Sequence, residues 1–322
     1  MSGNIAPVLS HYQLYPNVIE SFGNVHKISG LNGVFALKQT MLTQEQRAWF
    51  AHIIDRLKGL SLDSLLLPLP TKTGQPFVME EGMTYYLTTW CAARNDGIVS
   101  EEERALETAA VLHQLTEKEQ SYSADIVESS SRLLLDRWSK QQDVLETFAA
   151  ETENRLTFTA FERSFLSARD RIFTAVDRSK QRLSAWKTTT NRNRRFRVVL
   201  CHGQLTPAHA IDGHLVNFER ALLDAPSRDL AQFFRSAVLR ANTQRSDAAP
   251  YDWLLRYEEI FPLRVEERQL LAAYLSFPDA VYQVVRRFID QEPRNNSEFA
   301  AIFDQRWQRF LQLEQLADKL SE

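Results

Sequence analysis

The sequence predicts an α+β protein in which a small β-rich region precedes a larger, mostly helical one. Three observations predict this class. Short β-prone runs separated by glycine turns fill much of the first hundred residues. From Ser100 onward, apolar residues recur every three or four positions, which is the spacing of one helix face. One β-prone stretch, RVVLCHG, interrupts the helical region, so strands are expected in both parts.

The composition is that of a globular protein without an obvious polyanionic partner. The chain has 322 residues, of which 44% are hydrophobic, enough for one large core or two smaller ones. Its 38 Lys and Arg residues against 41 Asp and Glu give a net charge of -3, so we expect no nucleic-acid partner. Cys91 and Cys201 stand alone in the sequence, and we expect reduced thiols and no zinc site.

No segment of the sequence predicts a secretory signal or a membrane span. The start, MSGNIAPVLS, lacks a basic region followed by an apolar run. The most apolar short stretch, SLDSLLLPLP, falls short of the ~18 to 20 residues that a span needs. We therefore expect synthesis in the cytoplasm and no span.

The predicted N-terminal domain covers residues 1–92 and consists of strand pairs around one helix. The runs NVHKIS and GVFALKQT flank GLNG, whose Asn32-Gly33 pair is typical of a tight hairpin turn. Thr43 and Gln46 form a capping box that opens the helix TQEQRAWFAHIIDRL. A second hairpin is predicted around Gly82.

The predicted C-terminal domain covers residues 93–322 and is helical apart from a loop and hairpin at 198–219. Ser100 and Glu103 form the capping box of its first helix. Apolar stripes at helical spacing occur at 158–176, 281–288 and 299–313, and core packing explains them best.

One local charge imbalance occurs between Lys180 and Arg197, where seven basic residues stand without an acid. Such a run could hold a phosphate or an acidic partner. A solvated loop is the favoured interpretation, because no aromatic pattern or fold motif accompanies the charges.

The stretch LCHGQLTPAHAIDGHLVNFERALLD, from Leu200 to Asp224, resembles the catalytic segment of the aminoglycoside phosphotransferase and choline kinase group. GVFALKQT resembles the strand of that group whose lysine, here Lys38, contacts the nucleotide, and AAVLHQLT resembles a later helix end. The resemblance covers residues 20–240 and is closest to CotS-type endospore coat kinase-like proteins. It implies a protein-kinase-like two-lobe fold.

Three positions that carry chemistry in this group differ in the present chain. The aspartate that acts as the catalytic base in this group corresponds to Gln204. The neutral amide of Gln204 can orient a hydroxyl but cannot accept its proton. The metal-binding asparagine corresponds to His209, and imidazole is a poor ligand for magnesium. The main metal-binding aspartate corresponds to Asn217. All three changes remove negative charge or oxygen ligands, so no functional catalytic residue and no bound metal are expected.

Positions with architectural roles in the group are retained. His202 and Gly203 match the turn of the catalytic loop, and Glu219 matches an acidic position beside the metal site. Asp229, three residues after Pro226, matches a helix-start aspartate that hydrogen-bonds to the catalytic loop. A retained frame with altered chemistry is typical of a pseudoenzyme.

The nucleotide side of the resemblance is weaker. The stretch ESFGNVHKIS has one glycine where a phosphate-binding loop needs several. The acidic partner that Lys38 would need has no clear match, because Glu45 stands early in the following helix and Asp55 is only a possible substitute. Lys38 is therefore either a nucleotide phosphate contact or a solvated lysine at a strand end.

These residues favour a pseudokinase with a structural or binding role, and the resemblance to CotS-type proteins implies that this role is in bacterial spore coat assembly. Its expected partners are other coat proteins, its expected location is the spore coat, and no cofactor is expected. The alternative is an ATP-dependent small-molecule phosphotransferase with non-standard residues. In that case Glu219 or Asp212 would hold magnesium and His209 would act as general base.

A third hypothesis groups His202, His209 and His214 as ligands of one metal ion. Their spacing matches no zinc pattern, and His214 is expected on a strand beyond the hairpin turn. We rank this hypothesis last.

Overall fold

A computed structural model of the protein describes residues 5–91, 100–121, 124–193, 195–240, 249–291 and 296–321. The chain forms two compact units. Unit 1 consists of Met1–Leu115 and His202–Leu222, and unit 2 of Thr116–Cys201 and Leu223–Glu322. The elements, in chain order, are α1 (Ala6–Ser10), β1 (Pro16–Phe22), β2 (Val25–Gly30), β3 (Gly33–Thr40), α2 (Gln44–Lys58), β4 (Val78–Glu80), β5 (Met83–Thr89), α3 (Glu101–Thr116), β6 (Lys118–Ser121), α4 (Ala124–Glu153), α5 (Ala160–Asn193), β7 (Arg195–Cys201), β8 (Ala210–Ile211), β9 (His214–Leu215), β10 (Leu222–Asp224), α6 (Ser227–Arg240), α7 (Ala249–Ile260), α8 (Val265–Ser276), α9 (Asp279–Asp290) and α10 (Asn296–Lys319).

Unit 1 is built on a five-stranded antiparallel sheet of order β1-β2-β3-β5-β4. Both predicted hairpins are present. The capping box of α2 is formed in full by Thr43 and Gln46. One face of the sheet carries an apolar cluster that includes Ile28, Leu37 and Leu87, and α1 packs into it.

The first strand, β1, was not predicted from the sequence. It lies at the sheet edge, and its residues after Pro16 are all exposed, including the apolar Val18, Ile19 and Phe22. Because neither face is buried, its sequence lacks the apolar and polar alternation that identifies a half-buried strand.

Unit 2 is helical around a core of aromatic and aliphatic side chains. The stripes predicted as core do form it, and Phe161, Phe165, Phe288, Phe299 and Phe303 meet in one cluster. Phe161 and Phe288 lie with ring centroids 4.5 Å apart. α5 packs against α8 and α10, which places the longest helix in contact with the C-terminal ones.

A small sheet of order β10-β7-β6 belongs to this second region, and β6 was missed because KEQS is polar and fully exposed. Arg197 on β7 is buried and pairs with Glu267, with its Nε 2.8 Å from Oε1. The Arg197 guanidinium also lies 3.8 Å from the centroid of the Phe261 ring. This residue is part of the interior.

The basic run from 180 to 197 lies mostly on α5 and β7, so the interpretation as a loop was wrong. α5 continues to Asn193 and β7 begins at Arg195, so most of the run lies in regular secondary structure. Lys187 forms an ion pair with Glu128, and the Arg182 guanidinium lies 2.5 Å from Asp318. With Arg197 also paired, these three charges are neutralised within the chain.

The other general expectations concern cysteines, membrane spans and the domain boundary. Cys91 and Cys201 are both free thiols. Among the described residues, none of the helices combines the length and apolar character needed to cross a membrane. The boundary predicted between residues 92 and 93 lies outside the described residues and stays a prediction.

Candidate functional site

The segment that resembles a catalytic loop belongs to unit 1, together with the five-stranded sheet. After His202, the chain makes a 3₁₀ turn at Pro207–His209, the β8–β9 hairpin and a second 3₁₀ turn at Phe218–Arg220. The hairpin turn has the positive φ angles of 50° at Asp212 and 80° at Gly213, as the Asp-Gly pair predicts. Asp212 thus belongs to a turn.

Gly203 is required by a close approach of two backbone segments. Its φ is +80°, and a Cβ atom added there would lie 2.0 Å from the carbonyl oxygen of Arg220. The loop at His202 therefore packs directly on the second 3₁₀ turn. This contact explains why position 203 requires glycine.

Lys38, on β3, lies opposite Tyr86 on β5, so both side chains point to one face of the sheet. The Lys38 ammonium forms an ion pair with Oε1 of Glu219. The Tyr86 hydroxyl donates a hydrogen bond to Oε2 of the same carboxylate over 2.9 Å. Each carboxylate oxygen of Glu219 thus receives a donor from a neighbouring strand.

This cluster is largely removed from water. The side chains of Glu219 and Lys38 are 6% and 14% exposed. The Lys38 ammonium also lies 5.8 Å from the centroid of the Tyr86 ring. Lys38 is therefore not the solvated strand-end lysine that the sequence left open.

The pKa values in the cluster follow from burial and from the ion pair. Burial alone raises the pKa of the Glu219 carboxyl, but the Lys38 charge and the donated hydrogen bonds outweigh it and hold the pKa below its usual value. Burial, followed by the Glu219 charge, raises the pKa of Tyr86 well above 10. The arrangement is therefore an ionised carboxylate held by an ammonium and a neutral phenol.

Asn217 completes the cluster. Its backbone is left-handed, with φ 70° and ψ 56°, a conformation that asparagine adopts more readily than most residues. Its side-chain oxygen lies 3.2 Å from the Tyr86 hydroxyl. The residue at the metal position thus makes a neutral polar contact beside the ion pair.

The rings of His202 and His209 lie close together within the loop, with centroids 5.0 Å apart and planes tilted by 32°. The Nε2 atom of His202 lies 2.7 Å from the Val216 carbonyl oxygen, and its Nδ1 accepts the Gln204 backbone N–H over 3.3 Å. These contacts occupy both ring nitrogens of His202. His209 Nδ1 lies 3.1 Å from the Thr206 hydroxyl.

Burial, followed by the nearby His202 and Lys38, lowers the pKa of His209 to about 4. The imidazole is therefore neutral near pH 7. It is hydrogen-bonded to Thr206 within the loop and is only a weak base.

The three histidines of the metal hypothesis are engaged in different environments. Both nitrogens of His202 are hydrogen-bonded, while His214 Nδ1 is buried without a partner. Within the ranges described above, no group of three potential metal ligands contains more than one of these histidines.

Asp229 lies in unit 2, in the first turn of α6, and is fully buried. Burial and then the Asp229 charge raise the pKa of the Cys201 thiol well above its usual value, which places the carboxylate near the end of β7. The predicted hydrogen bond from Asp229 to the catalytic loop stays a prediction.

The sequence did not identify the partners of Lys38. Asp55 is exposed and lies 4.0 Å from Lys58, and Glu45 is exposed in the first turn of α2. Neither acid is the partner. The pairing register of β3 and β5 could have identified Tyr86, but nothing in the local sequence indicates that Glu219 reaches Lys38.

A further contact fixes α2 against this site. The indole Nε1 of Trp49 donates a hydrogen bond to the carbonyl oxygen of Ala221 over 2.6 Å. Trp49 is 37% exposed. Its polar atom therefore ties the helix to the residue that follows the second 3₁₀ turn.

The model of the protein family described as "Spore coat putative kinase YutH" matches residues 6–319 of the chain. No curated protein sequence matches the chain. Among solved structures, an aminoglycoside phosphotransferase from Alicyclobacillus acidocaldarius subsp. acidocaldarius DSM 446 is similar, with a TM-score of 0.76 and 16% identity over 98% of this chain and 94% of that chain.

Two further structures show the same fold at low identity. The AMP-bound spectinomycin phosphotransferase APH(9)-Ia has a TM-score of 0.63 and 14% identity, covering 96% of this chain and 95% of its own. A choline/ethanolamine kinase family protein from Mesorhizobium loti has a TM-score of 0.51 and 13% identity, covering 95% and 93%. The predicted kinase-like α+β fold is confirmed.

Proposed function

The chain belongs to the spore coat family described as "Spore coat putative kinase YutH", and we propose that it is a catalytically degenerate kinase-fold protein. Its role in this proposal is structural or binding, in the assembly of the bacterial spore coat. Other coat proteins are its partners, and the coat is its location.

The observation that carries the proposal is the buried ion pair between Lys38 and Glu219. In protein kinases the nucleotide lysine contacts the phosphates while a helix glutamate pairs with it, whereas the partner of Lys38 is Glu219, in the turn after the loop hairpin. Here that charge is already neutralised by an internal carboxylate, which the Tyr86 hydroxyl also binds. A phosphate ligand would have to displace a buried, hydrogen-bonded partner.

The groups around the pair supply no substitute chemistry. Gln204 and Asn217 carry neutral amides at the positions of the base and the principal metal ligand. His209, with its pKa of about 4, is a weak base near pH 7. Proton abstraction from a substrate hydroxyl therefore has no suitable acceptor among these three residues.

The same donor set does not fit magnesium, which prefers several oxygen ligands with negative charge. Both oxygens of Glu219 are engaged, one by Lys38 and one by Tyr86. Asn217 offers one neutral oxygen, and it faces the Tyr86 hydroxyl. The residues present therefore do not fit a bound magnesium ion.

A complementation experiment tests the proposed role. A spore-forming host that lacks the protein would receive either the wild-type gene or the Lys38→Met/Glu219→Gln double variant, which removes both charges together. Coat composition and lysozyme resistance of the spores are measured. We expect equal rescue, because the role requires the fold and its surface. Rescue by the wild type alone, with the variant folded and present at equal level, would contradict the proposal.

A further inference from the structure

We propose that Glu219 is a ligand-excluding residue. Its carboxylate occupies the Lys38 and Tyr86 donors and keeps phosphate-bearing anions out of the site. Removal of its charge would open the site to a metal-free polyphosphate. This inference rests on the proposed function, since it assumes that no catalytic turnover clears the site.

The donor geometry supports this role. The Lys38 ammonium and the Tyr86 hydroxyl stand on adjacent strands, directly opposite each other, and converge on the two oxygens of one carboxylate. A phosphate group also presents oxygens that accept hydrogen bonds from an ammonium and a phenol. The carboxylate therefore occupies donors that an anionic ligand would use.

The charge balance supports it further. Within the cluster, Lys38 contributes one positive charge and Glu219 one negative charge, while Asn217 and Tyr86 are neutral. The cluster is thus electrically balanced without a ligand. A buried ammonium left without its carboxylate is costly and favours any anion that can reach it.

The position of Glu219 in the chain explains why it stays in place. It lies in the 3₁₀ turn Phe218–Arg220, whose backbone packs on Gly203. The Trp49 indole binds the next residue, Ala221. The carboxylate is therefore presented by a turn that is fixed on two sides, and loss of its charge should leave the turn intact.

Binding of inorganic tripolyphosphate in the presence of a chelator tests the inference. Affinity is measured by calorimetry on the full chain as wild type, Glu219→Gln, and Glu219→Gln/Lys38→Met. We expect Glu219→Gln to bind at least about tenfold more tightly than the wild type, because the Lys38 charge is then unopposed. The double variant should return to the wild-type level, since the gain depends on Lys38.

A folded Glu219→Gln protein without a gain would overturn the inference, and so would a gain that persists in the double variant. If Glu219→Gln does not fold, Glu219→Asp replaces it. Its shorter side chain keeps the charge but cannot reach both donors, so tripolyphosphate binding and labelling of Lys38 by an amine-reactive reagent should both rise. Unchanged labelling and binding would reject the idea.

The outcomes distinguish a failure of this inference from a failure of the proposed function. Absence of tripolyphosphate binding in every variant, with no ATP turnover by the wild type, rejects only the ligand-excluding role of Glu219. ATP turnover by the wild type rejects the proposed function itself.

Discussion

Lys38 and Glu219, separated by 181 residues in the sequence, form a buried ion pair in unit 1. The pair joins the third strand of the sheet to the turn that follows the loop hairpin. The two charges neutralise each other, and the Tyr86 hydroxyl completes the contact.

The Lys38–Glu219 pair predicts a strong dependence of stability on charge balance. Lys38→Met alone leaves a buried carboxylate without its cation and should lower the free energy of unfolding by about 3 to 5 kcal/mol. Lys38→Met/Glu219→Gln removes both charges and should recover most of that loss. Chemical denaturation measures both. Equal losses in the single and double variants would show that the pair is not coupled.

Gly203 provides a test of loop packing with a matched control. Gly203→Ala places a Cβ atom 2.0 Å from the Arg220 carbonyl oxygen at a φ of +80°, and should cost at least about 3 kcal/mol. Gly213→Ala has the same φ but no atom within 4 Å, so only the backbone penalty of about 1 kcal/mol remains. Denaturation curves should separate the two. Similar losses would mean that the close approach is absent.

The depressed pKa of His209 predicts a pH dependence of stability. The folded pKa of about 4 lies below the usual 6.5, so the unfolded chain binds more protons between these values. Stability should therefore fall as the pH drops from about 6.5 toward 4, with a contribution of about 2 kcal/mol lost at pH 5.

His209→Asn supplies the comparison for that prediction, because asparagine can still bond to Thr206 but does not titrate. The difference in unfolding free energy between pH 7 and pH 5 should be smaller in the variant by about 2 kcal/mol. Other titrating groups cancel in this difference. The same pH dependence in both proteins would rule out a buried, neutral His209.

Trp49 tests the tie between α2 and the site. Trp49→Phe keeps most of the ring but removes the hydrogen bond to the Ala221 carbonyl oxygen. The expected loss is about 1 kcal/mol of unfolding free energy, measured by denaturation. Trp307→Phe, on α10 in unit 2, is the control for loss of indole area at a stacked, partly buried position. A smaller loss at Trp49 than at Trp307 would argue against the hydrogen bond.

Local sequence signals predicted the hairpins, the capping boxes and the aromatic core because each depends on neighbouring residues. The Asp212-Gly213 pair forms its own turn, whereas the β2–β3 hairpin turns at Leu31 and Asn32, with Gly33 paired to Gly30. Phe161 and Phe288 each belong to an apolar stripe whose spacing predicts a buried helix face. β1 and β6 escaped because their exposed residues carry no periodic pattern.

Comparison with the kinase-like pattern singled out Gln204, His209 and Asn217 in the sequence, and their assignment to a degenerate catalytic site stays a prediction. Their contacts could not be predicted. The meeting of Lys38 with Glu219 depends on folding between segments 181 residues apart, and no local rule encodes it. The low pKa of His209 results mainly from burial, and the burial of this side chain cannot be inferred from the local sequence.

ATP turnover by the purified wild-type chain tests the central claim most directly. The protein is incubated with magnesium and ATP, with and without aminoglycoside, choline and ethanolamine acceptors, and ADP release is measured. Lys38→Met/Glu219→Gln serves as the blank. The account predicts that wild type and double variant release ADP at the same background rate. Acceptor-dependent ADP release by the wild type, lost in the double variant, would contradict it.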